Sequence, residues 1–298
     1  MAEFLLDLIR ANVAGGLAVL AVLALRAPIR RLLGPDAAYR LWAAPPLVVA
    51  ASLLPAREIL GAAARDDAPL WAVRLAPALF TAWALGALLM LLALALAQHA
   101  FVRAARAGRA GPAVVGVIVP RIFMPPNDGQ FTEDERTLIR AHEREHLERG
   151  DPMANALMAA LQCLLWGNPL THLAVHVARL DQEIACDADV LRRRPKARAL
   201  YARTLLKAQL ATTPLPLGAH WAGHPLEARI RLLSQPQRAD RPSGPVIAGL
   251  ASVAAGALAW AMVPPVAPLR DHLDWRPVEP PQRAMSVIMI RVPAARHA

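Results

Sequence analysis

Apolar and polar positions along the chain fall into blocks, and four apolar blocks are long enough to suggest membrane spans. They centre on residues 13–25, 41–54, 77–97 and 246–263. A helix needs about 20 apolar residues to cross roughly 30 Å of hydrocarbon, so the pattern predicts four spans. The second prediction is the weakest because Pro45 and Pro46 interrupt it. The first span is predicted to be a retained helix, since it lacks the basic start and cleavage site of a signal peptide.

Charges in the short connections predict how these spans are oriented. Four arginines flank the connection between the first two spans, whereas residues 55–67 mix acidic and basic side chains. Because short basic loops stay on the cytoplasmic side, we expect both termini outside a bacterial inner membrane. The predicted layout is three spans within residues 1–101, a cytoplasmic domain over 102–242, a fourth span over 243–264 and a short outer tail over 265–298.

The cytoplasmic segment has its own pattern of strands and helices. Residues 111–125 are rich in Val and Ile between Gly and Pro, which favours one or two short edge strands. Thr132 and Glu135 form a capping box, and Gly150 suits the end of the helix that follows. Further helices are predicted over 153–166, 170–191, 199–210 and 225–233. The helix over 153–166 is apolar nearly all round, so it either belongs to a core or dips into the membrane surface.

The helix that starts at the capping box carries His142, Glu143 and His146. Histidines four residues apart share one helix face and can bind one metal, and Glu143 between them can reach a water on that metal. A catalytic zinc also needs a third protein ligand and one open position. Glu183 and Asp187 lie one turn apart downstream, so we predict Glu183 as that ligand and Asp187 as the carboxylate that orients a histidine N–H. A solvated helix face is the alternative interpretation of these two acids.

Three blocks extend this pattern: residues 141–151, 166–170 and 182–191, in this order. They resemble the BlaR/MecR-type antirepressor metallopeptidases, which are membrane gluzincins. The resemblance covers most of the cytoplasmic segment and implies Zn²⁺ bound by His142, His146 and Glu183, with Glu143 as general base and Asp187 as orienting carboxylate. The fold class expected is mainly α: a four-span polytopic membrane protein with a cytoplasmic α-helical zinc-peptidase domain carrying a short β edge.

Two features depart from that family. Arg144 and Glu145 occupy helix positions where the family usually has apolar residues. The best-known members also carry a β-lactam-sensing domain with a Ser-x-x-Lys motif, and this sequence has lysines only at positions 196 and 207. We therefore expect no penicillin-binding sensor domain and no antibiotic sensing from this chain.

The sequence also offers candidates for holding the substrate. His224, Arg203 and Arg229 lie downstream, where they could return to the site and stabilise a developing oxyanion. Residues 224–230 resemble a stretch that follows the zinc site in the wider group of membrane gluzincins, although a capped surface helix explains them equally well. An extended peptide could add as a strand along the edge formed by residues 114–123.

These features together predict a membrane zinc metalloendopeptidase that transduces a signal by cutting itself, a cytoplasmic repressor or both. The resemblance implies a small winged-helix repressor as the candidate substrate. Two alternatives stay open: a non-enzymatic receptor or scaffold with a structural zinc site, and a housekeeping quality-control protease.

Composition narrows the expected partners. A hydrophobic fraction of 56% favours contact with a lipid bilayer, and anionic headgroups explain the net charge of +10 without direct nucleic-acid binding. Cys163 and Cys186 are predicted to be reduced thiols rather than a disulfide. Association into a homo-oligomer stays open.

Overall fold

The computed structural model describes residues 2–53, 70–108, 111–124, 129–211 and 226–233, together with residues 249, 250 and 256. His224, the connection over 55–67 and the tail over 265–298 lie outside the described residues. So does the predicted fourth span, apart from those three positions.

Two long helices correspond to the first and third predicted spans. Helix α1 is Ala2–Leu33, and helix α4 is Leu70–Arg106. Within them, Phe4–Leu33 and Arg74–Arg106 are long and apolar enough to cross a membrane. The side chains of α4 between Leu85 and Leu96 are largely exposed, as expected of a helix that faces lipid.

The residues of the second predicted span form short elements rather than one long helix. Helix α2 is Pro35–Arg40, a 3-10 turn covers Leu41–Ala43, and helix α3 is Ala44–Ser52. The prolines explain the break, because Pro45 and Pro46 lack an N–H and are tolerated in the first turn of a new helix. The four-span layout therefore stays a prediction, with two such helices among the described residues.

A small antiparallel sheet precedes the helix that carries the histidine pair. Strand β1 is Ala113–Val115 and strand β2 is Arg121–Phe123, with Val114 opposite Ile122. This confirms the predicted edge strands. The turn between them exposes Val117, Ile118 and Val119.

Helix α5, Glu133–Arg149, begins and ends where the sequence predicted. The Thr132 hydroxyl accepts from the Glu135 N–H, and the Glu135 carboxylate accepts from the Thr132 N–H, so the capping box is present. Gly150 ends the helix in the left-handed conformation, with φ of 73°, which costs glycine little.

Four more α-helices follow within residues 151–233 and agree with the predicted elements to within a few residues. Helix α6 is Asp151–Leu164, α7 is Pro169–Arg193, α8 is Arg198–Ala211 and α9 is Leu226–Leu233. Helices α6 and α7 form a helical hairpin that contacts both α1 and α4.

Two apolar clusters hold α7 in place. At its beginning, Ala174 and Ala178 pack against Val19 and Val22 of α1. At its end, the second cluster joins three helices through Leu138, Ala141, Val190, Leu191 and Tyr201. Since α7 carries Glu183 and Asp187 between these clusters, both acids are fixed relative to α5.

Candidate metal centre

Three predicted ligand side chains converge between α5 and α7. The Nε2 atoms of His142 and His146 lie 3.1 Å apart. The Glu183 carboxylate completes the triangle, with Oε2 at 3.4 Å from His142 Nε2 and Oε1 at 3.5 Å from His146 Nε2. The structure therefore brings together residues that are about 40 positions apart in sequence.

These separations fit a zinc ion. Ligand atoms held about 2.0–2.1 Å from one tetrahedral ion lie about 3.3 Å from each other. Histidine nitrogen and carboxylate oxygen are also ligand types that zinc accepts. The side chains of His142, His146 and Glu183 thus match the ligand types and the ligand spacing of a zinc ion.

Asp151 fixes the orientation of His146. Its Oδ2 lies 2.6 Å from His146 Nδ1. Because a carboxylate accepts hydrogen bonds, Nδ1 carries the proton and leaves the lone pair of Nε2 directed at the other two groups. Burial alone would lower the pKa of His146, but this hydrogen bond and the neighbouring groups raise it to about 10. The groups around His146 therefore stabilise a positive charge at Nε2, which can be a second proton or a bound cation.

Tyr201 and Asp187 fix His142 in the same sense. The Tyr201 hydroxyl donates to Asp187 Oδ1 at 2.6 Å and lies 2.8 Å from His142 Nδ1. Since the tyrosine proton is used on Asp187, the histidine Nδ1–H donates to the tyrosine oxygen. Nε2 is again left free for a cation. The predicted role of Asp187 as an orienting carboxylate thus has a geometric basis, with Tyr201 as the intermediate group.

Arg229 of α9 binds both acids of α7. Its Nε and Nη2 donate to the two oxygens of Asp187 at 2.7 and 2.8 Å, and Nη1 lies 2.9 Å from Glu183 Oε2. Burial alone would raise the pKa of Glu183, but Arg229 and the two histidines lower it to about 2. Glu183 is therefore ionised at neutral pH, as a metal ligand must be.

Glu143 is buried and lines the same cleft. Burial raises the pKa of its carboxyl above the ordinary value, which the neighbouring histidines partly oppose. A carboxylate with a raised pKa is a better proton acceptor than an exposed one, so its environment suits a general base.

The cleft around these groups has a volume of about 370 Å³. Ala113 and Val114 of β1 form one wall, and Ile139, Leu205 and Ala208 add apolar surface. An extended chain could therefore run between β1 and the ligand triangle. Ile118 lies in the exposed turn beyond the strand and is not part of the described cleft lining.

Cys186 is also close to the histidines and makes a second possible donor set with them. Its sulfur lies 3.4 Å from Nδ1 of His142 and donates to the His142 carbonyl at 3.3 Å. The thiol thus contacts the side of the His142 ring opposite to Nε2. Glu183, in contrast, lies on the Nε2 side of both rings.

Helix α1 and the segment after it contact α7 next to this site. Arg26 forms a two-pronged pair with Asp181 at 2.7 and 2.8 Å, Arg30 adds a contact at 3.0 Å, and Trp42 donates at 2.9 Å. Asp181 is buried and lies two residues before Glu183. Ion pairs therefore join α1 to α7 two residues before Glu183.

A second connection runs through Tyr39 of α2. The Tyr39 hydroxyl donates to Asp151 Oδ1 at 2.9 Å and accepts from Gln182 Nε2 at 2.8 Å. Tyr39 and Tyr201 are the two tyrosines of the whole chain. Each tyrosine hydroxyl contacts a carboxylate beside the histidine pair, and this rarity is a signal that sequence reasoning missed.

The other predicted candidates have mixed outcomes. Arg229 reaches the site, whereas Arg203 is exposed and is not in the described cleft lining, and His224 lies outside the described residues. Glu145, which departs from the family pattern, is buried and pairs with Arg193 at 2.8 Å. Asp151 was not predicted from the sequence as a functional residue. Its position directly after the helix-ending Gly150 is the signal, because it places Asp151 beside His146 in the last turn of α5.

Comparison with known proteins identifies the family to which the chain is similar. Residues 6–78 and 110–233 match the Peptidase_M56 family, described as BlaR1 peptidase M56. The chain is also 34% identical over 97 residues to the regulatory protein BlaR1 of Bacillus licheniformis. That match covers 32% of this chain and 16% of the relative. No solved structure matches the chain.

Because the family match covers most of the chain, this protein belongs to the BlaR1 peptidase M56 family. It is a membrane protein of a metallopeptidase family associated with signal transduction, as its two long apolar helices and its relative indicate.

Proposed function

We propose that this protein is an integral membrane zinc metalloendopeptidase that transduces a signal by cutting itself, a cytoplasmic repressor or both. The observation that carries the proposal is the triangle of His142 Nε2, His146 Nε2 and Glu183, with separations of 3.1 to 3.5 Å. A winged-helix repressor is the proposed substrate class, by similarity to the antirepressor family.

In this proposal His142, His146 and Glu183 hold zinc. Bound zinc supplies a Lewis acid that polarises a peptide carbonyl and activates water. Asp151 and the Tyr201–Asp187 pair keep both imidazoles in the required tautomer.

Glu143 is proposed to take the proton from the attacking water and to return it to the leaving amine. Its burial, its raised pKa and its position in the cleft support this role. Asp187 acts by positioning His142, and Arg229 acts by keeping Asp187 and Glu183 ionised and in place.

The substrate is proposed to bind as an extended strand beside β1. Ala113 and Val114 line the cleft, and β1 pairs with β2 on one edge in the two-stranded sheet that the structure describes. Backbone hydrogen bonds along the other edge would set the register of the scissile carbonyl without requiring a particular sequence.

A non-enzymatic receptor with a closed zinc site is the second candidate, and Cys186 is the observation that favours it. A fourth protein ligand would close the open position that a catalytic zinc needs. The contact of the thiol with the Nδ1 side of His142 weighs against this candidate. The buried Glu143 weighs against it as well, because a structural site needs no general base.

The deciding experiment compares the full chain with its Glu143→Gln variant in detergent or nanodiscs. Zinc content is measured first, and then self-cleavage, cleavage of a winged-helix repressor and cleavage of unfolded casein. We expect about one zinc in both proteins and cleavage by the parent alone, with at least a 100-fold loss in the variant.

The other outcomes separate the alternatives. Zinc in both proteins without any cleavage by either would favour the closed-site receptor. Ready cleavage of casein would favour a housekeeping protease over a dedicated signalling protease. Equal cleavage by parent and variant would exclude Glu143 as the base.

A further inference from the structure

We propose that the α6–α7 hairpin inserts into the bilayer and that lipid hydrocarbon covers the exposed stripe of α6 formed by Met153, Leu157 and Ala160. Residues 152–178, which cover α6 after Asp151, the turn and the first ten residues of α7, include no Asp, Glu, Lys or Arg. Charge resumes on both sides, at Asp151 and Arg179. This inference does not depend on peptidase activity.

The turn of the hairpin contacts the N-terminal half of helix α1. Asn168 Nδ2 donates to the Asn12 carbonyl at 3.1 Å, and a side chain added at Gly15 would meet Leu165. At the other end of the same contact, Arg26 of α1 pairs with Asp181 of α7. From Asn168 to Asp181 the helix rises about 20 Å at 1.5 Å per residue.

That distance places the hairpin within the depth of the bilayer. The stretch of α1 from Asn12 to Arg26 has the same length and is uncharged until Arg26. If Arg26 and Asp181 mark the membrane boundary, the turn reaches about two-thirds of the way across roughly 30 Å of hydrocarbon. It stops short of the far side, as a re-entrant hairpin does.

Helix α4, the second long apolar helix, holds the same turn. Trp83 Nε1 donates to the Leu164 carbonyl at 2.9 Å, and Trp166 Nε1 donates to the Trp83 carbonyl at 3.1 Å. Gly86 permits this approach, because a Cβ there would lie 2.1 Å from the Trp166 ring. The hairpin tip is thus built into the contact with α4 rather than lying beside it.

Polar groups near the tip are satisfied within the protein, as a hydrocarbon environment requires. Gln162 Nε2 lies 2.9 Å from His172 Nδ1, and His172 Nε2 lies 2.6 Å from the Trp166 carbonyl. Since Nε2 donates to that carbonyl, Nδ1 can accept from Gln162, so both ring nitrogens have a partner within the protein. The Asn168 amide oxygen accepts from the Leu170 N–H.

The exposed face of α6 identifies lipid as the occupant. Met153 and Leu157 are 56% and 53% exposed, and Ala160 continues the stripe one turn later. Helix α6 packs on α4, whose own exposed residues Leu88 and Leu89 are 60% and 56% accessible. The two exposed apolar surfaces therefore lie on neighbouring helices, and lipid hydrocarbon can cover both.

Insertion would place the metal centre at the membrane surface. Arg179 is the first charged residue after the uncharged stretch, and Glu183 lies four residues later, which is about 6 Å along α7. Substrates would then be cut close to the lipid headgroups.

Spin labels in nanodiscs test this inference. Single cysteines replace Met153, Leu157 and Ala160 in a Cys163→Ala background, in which the remaining Cys186 is buried. Leu89→Cys in α4 is the lipid-facing control, and Arg140→Cys on the exposed side of α5 is the aqueous control. Collision rates with oxygen and with a water-soluble nickel chelate are measured at each position, after melting temperatures confirm that each variant folds.

We expect the ratio of oxygen to nickel collisions to increase from Met153 to Leu157 to Ala160 and to approach that of Leu89. Ratios like that of Arg140 at all three positions would overturn the inference. Low collision rates with both reagents, together with dipolar broadening, would mean that a second copy covers the stripe and would also overturn it. Because no readout uses proteolysis, failure here leaves the proposed peptidase function untouched.

Discussion

The Asp151 carboxylate lies 2.6 Å from Nδ1 of His146, although Asp151 belongs to the next helix. The left-handed conformation of Gly150 makes this contact possible, because it ends α5 and begins α6 within one residue. The contact fixes the tautomer of one predicted metal ligand. Through Asp151, Tyr39 connects this contact to the segment that follows helix α1.

The Asp151→Asn variant should therefore bind zinc more weakly while keeping its fold. An amide can still accept from Nδ1–H but supplies no negative charge, so we expect a 10- to 100-fold loss of zinc affinity, on the order seen for such outer partners. Competition with a chelator measures it. Asp189→Asn is the matched control, because Asp189 is buried on α7 but pairs with Arg149 and Arg192. Equal losses in both variants would refute a specific role for Asp151.

Local signals in the sequence were enough to predict the helix that carries the histidine pair. A capping box and a terminal glycine each act within a few residues, so Thr132, Glu135 and Gly150 define this helix without tertiary information. The same holds for the i, i+4 spacing of His142 and His146. The elements predicted from these patterns agree with the structure.

Contacts between distant segments could not be predicted in the same way. Tyr201 lies 59 residues from His142 in sequence, and Arg229 lies 42 residues from Asp187. No periodicity specifies which tyrosine or arginine returns to the site, since this depends on how α8 packs on α5 and how α9 packs on α7.

Asp181 should be a stability determinant of the contact between α1 and α7. Its carboxylate is 1% exposed and binds Arg26, Arg30 and Trp42, so Asp181→Asn leaves two arginines without their counter-charge. We expect a loss of about 3–5 kcal/mol, seen as a lower melting temperature in detergent. Asp7→Asn is the control, because the Asp7–Arg10 pair on α1 is exposed and is worth about 0–1 kcal/mol. Similar melting temperatures for the two variants would contradict this assignment.

Glu135 should make the stability of the protein depend on acidic pH. The hydrogen bond from Lys207, followed by that from the Thr132 N–H, lowers the pKa of Glu135. A carboxyl with a lowered folded-state pKa stabilises the protein above its unfolded value of about 4.3, and this stabilisation is lost as pH falls through the folded value.

The Glu135→Gln variant should accordingly melt at a lower temperature than the parent at pH 7. The difference should shrink as pH falls below about 4.3, because the parent then loses the same charge. Melting temperatures measured in parallel cancel any change linked to metal, which both proteins share. Glu148→Gln, at the half-exposed pair with Arg193, should give a small difference at every pH. A difference for Glu135→Gln that stays constant down to pH 3 would sink this prediction.

Glu183 and Cys186 are the two candidates for the third metal ligand. Which of them binds the metal decides whether the site can be catalytic. Glu183 faces Nε2 of both histidines, whereas Cys186 faces Nδ1 of His142. We therefore expect Glu183→Gln to weaken zinc binding by at least about 100-fold and Cys186→Ser to change it only a few-fold.

Replacement of zinc by cobalt adds a spectroscopic test, because a thiolate ligand produces an intense sulfur-to-cobalt absorption that a carboxylate does not. Absence of that band, with zinc lost only in Glu183→Gln, leaves one coordination position open for substrate. The reverse result would make the centre a His-His-Cys site and would return Glu183 to the role of a salt-bridge partner of Arg229.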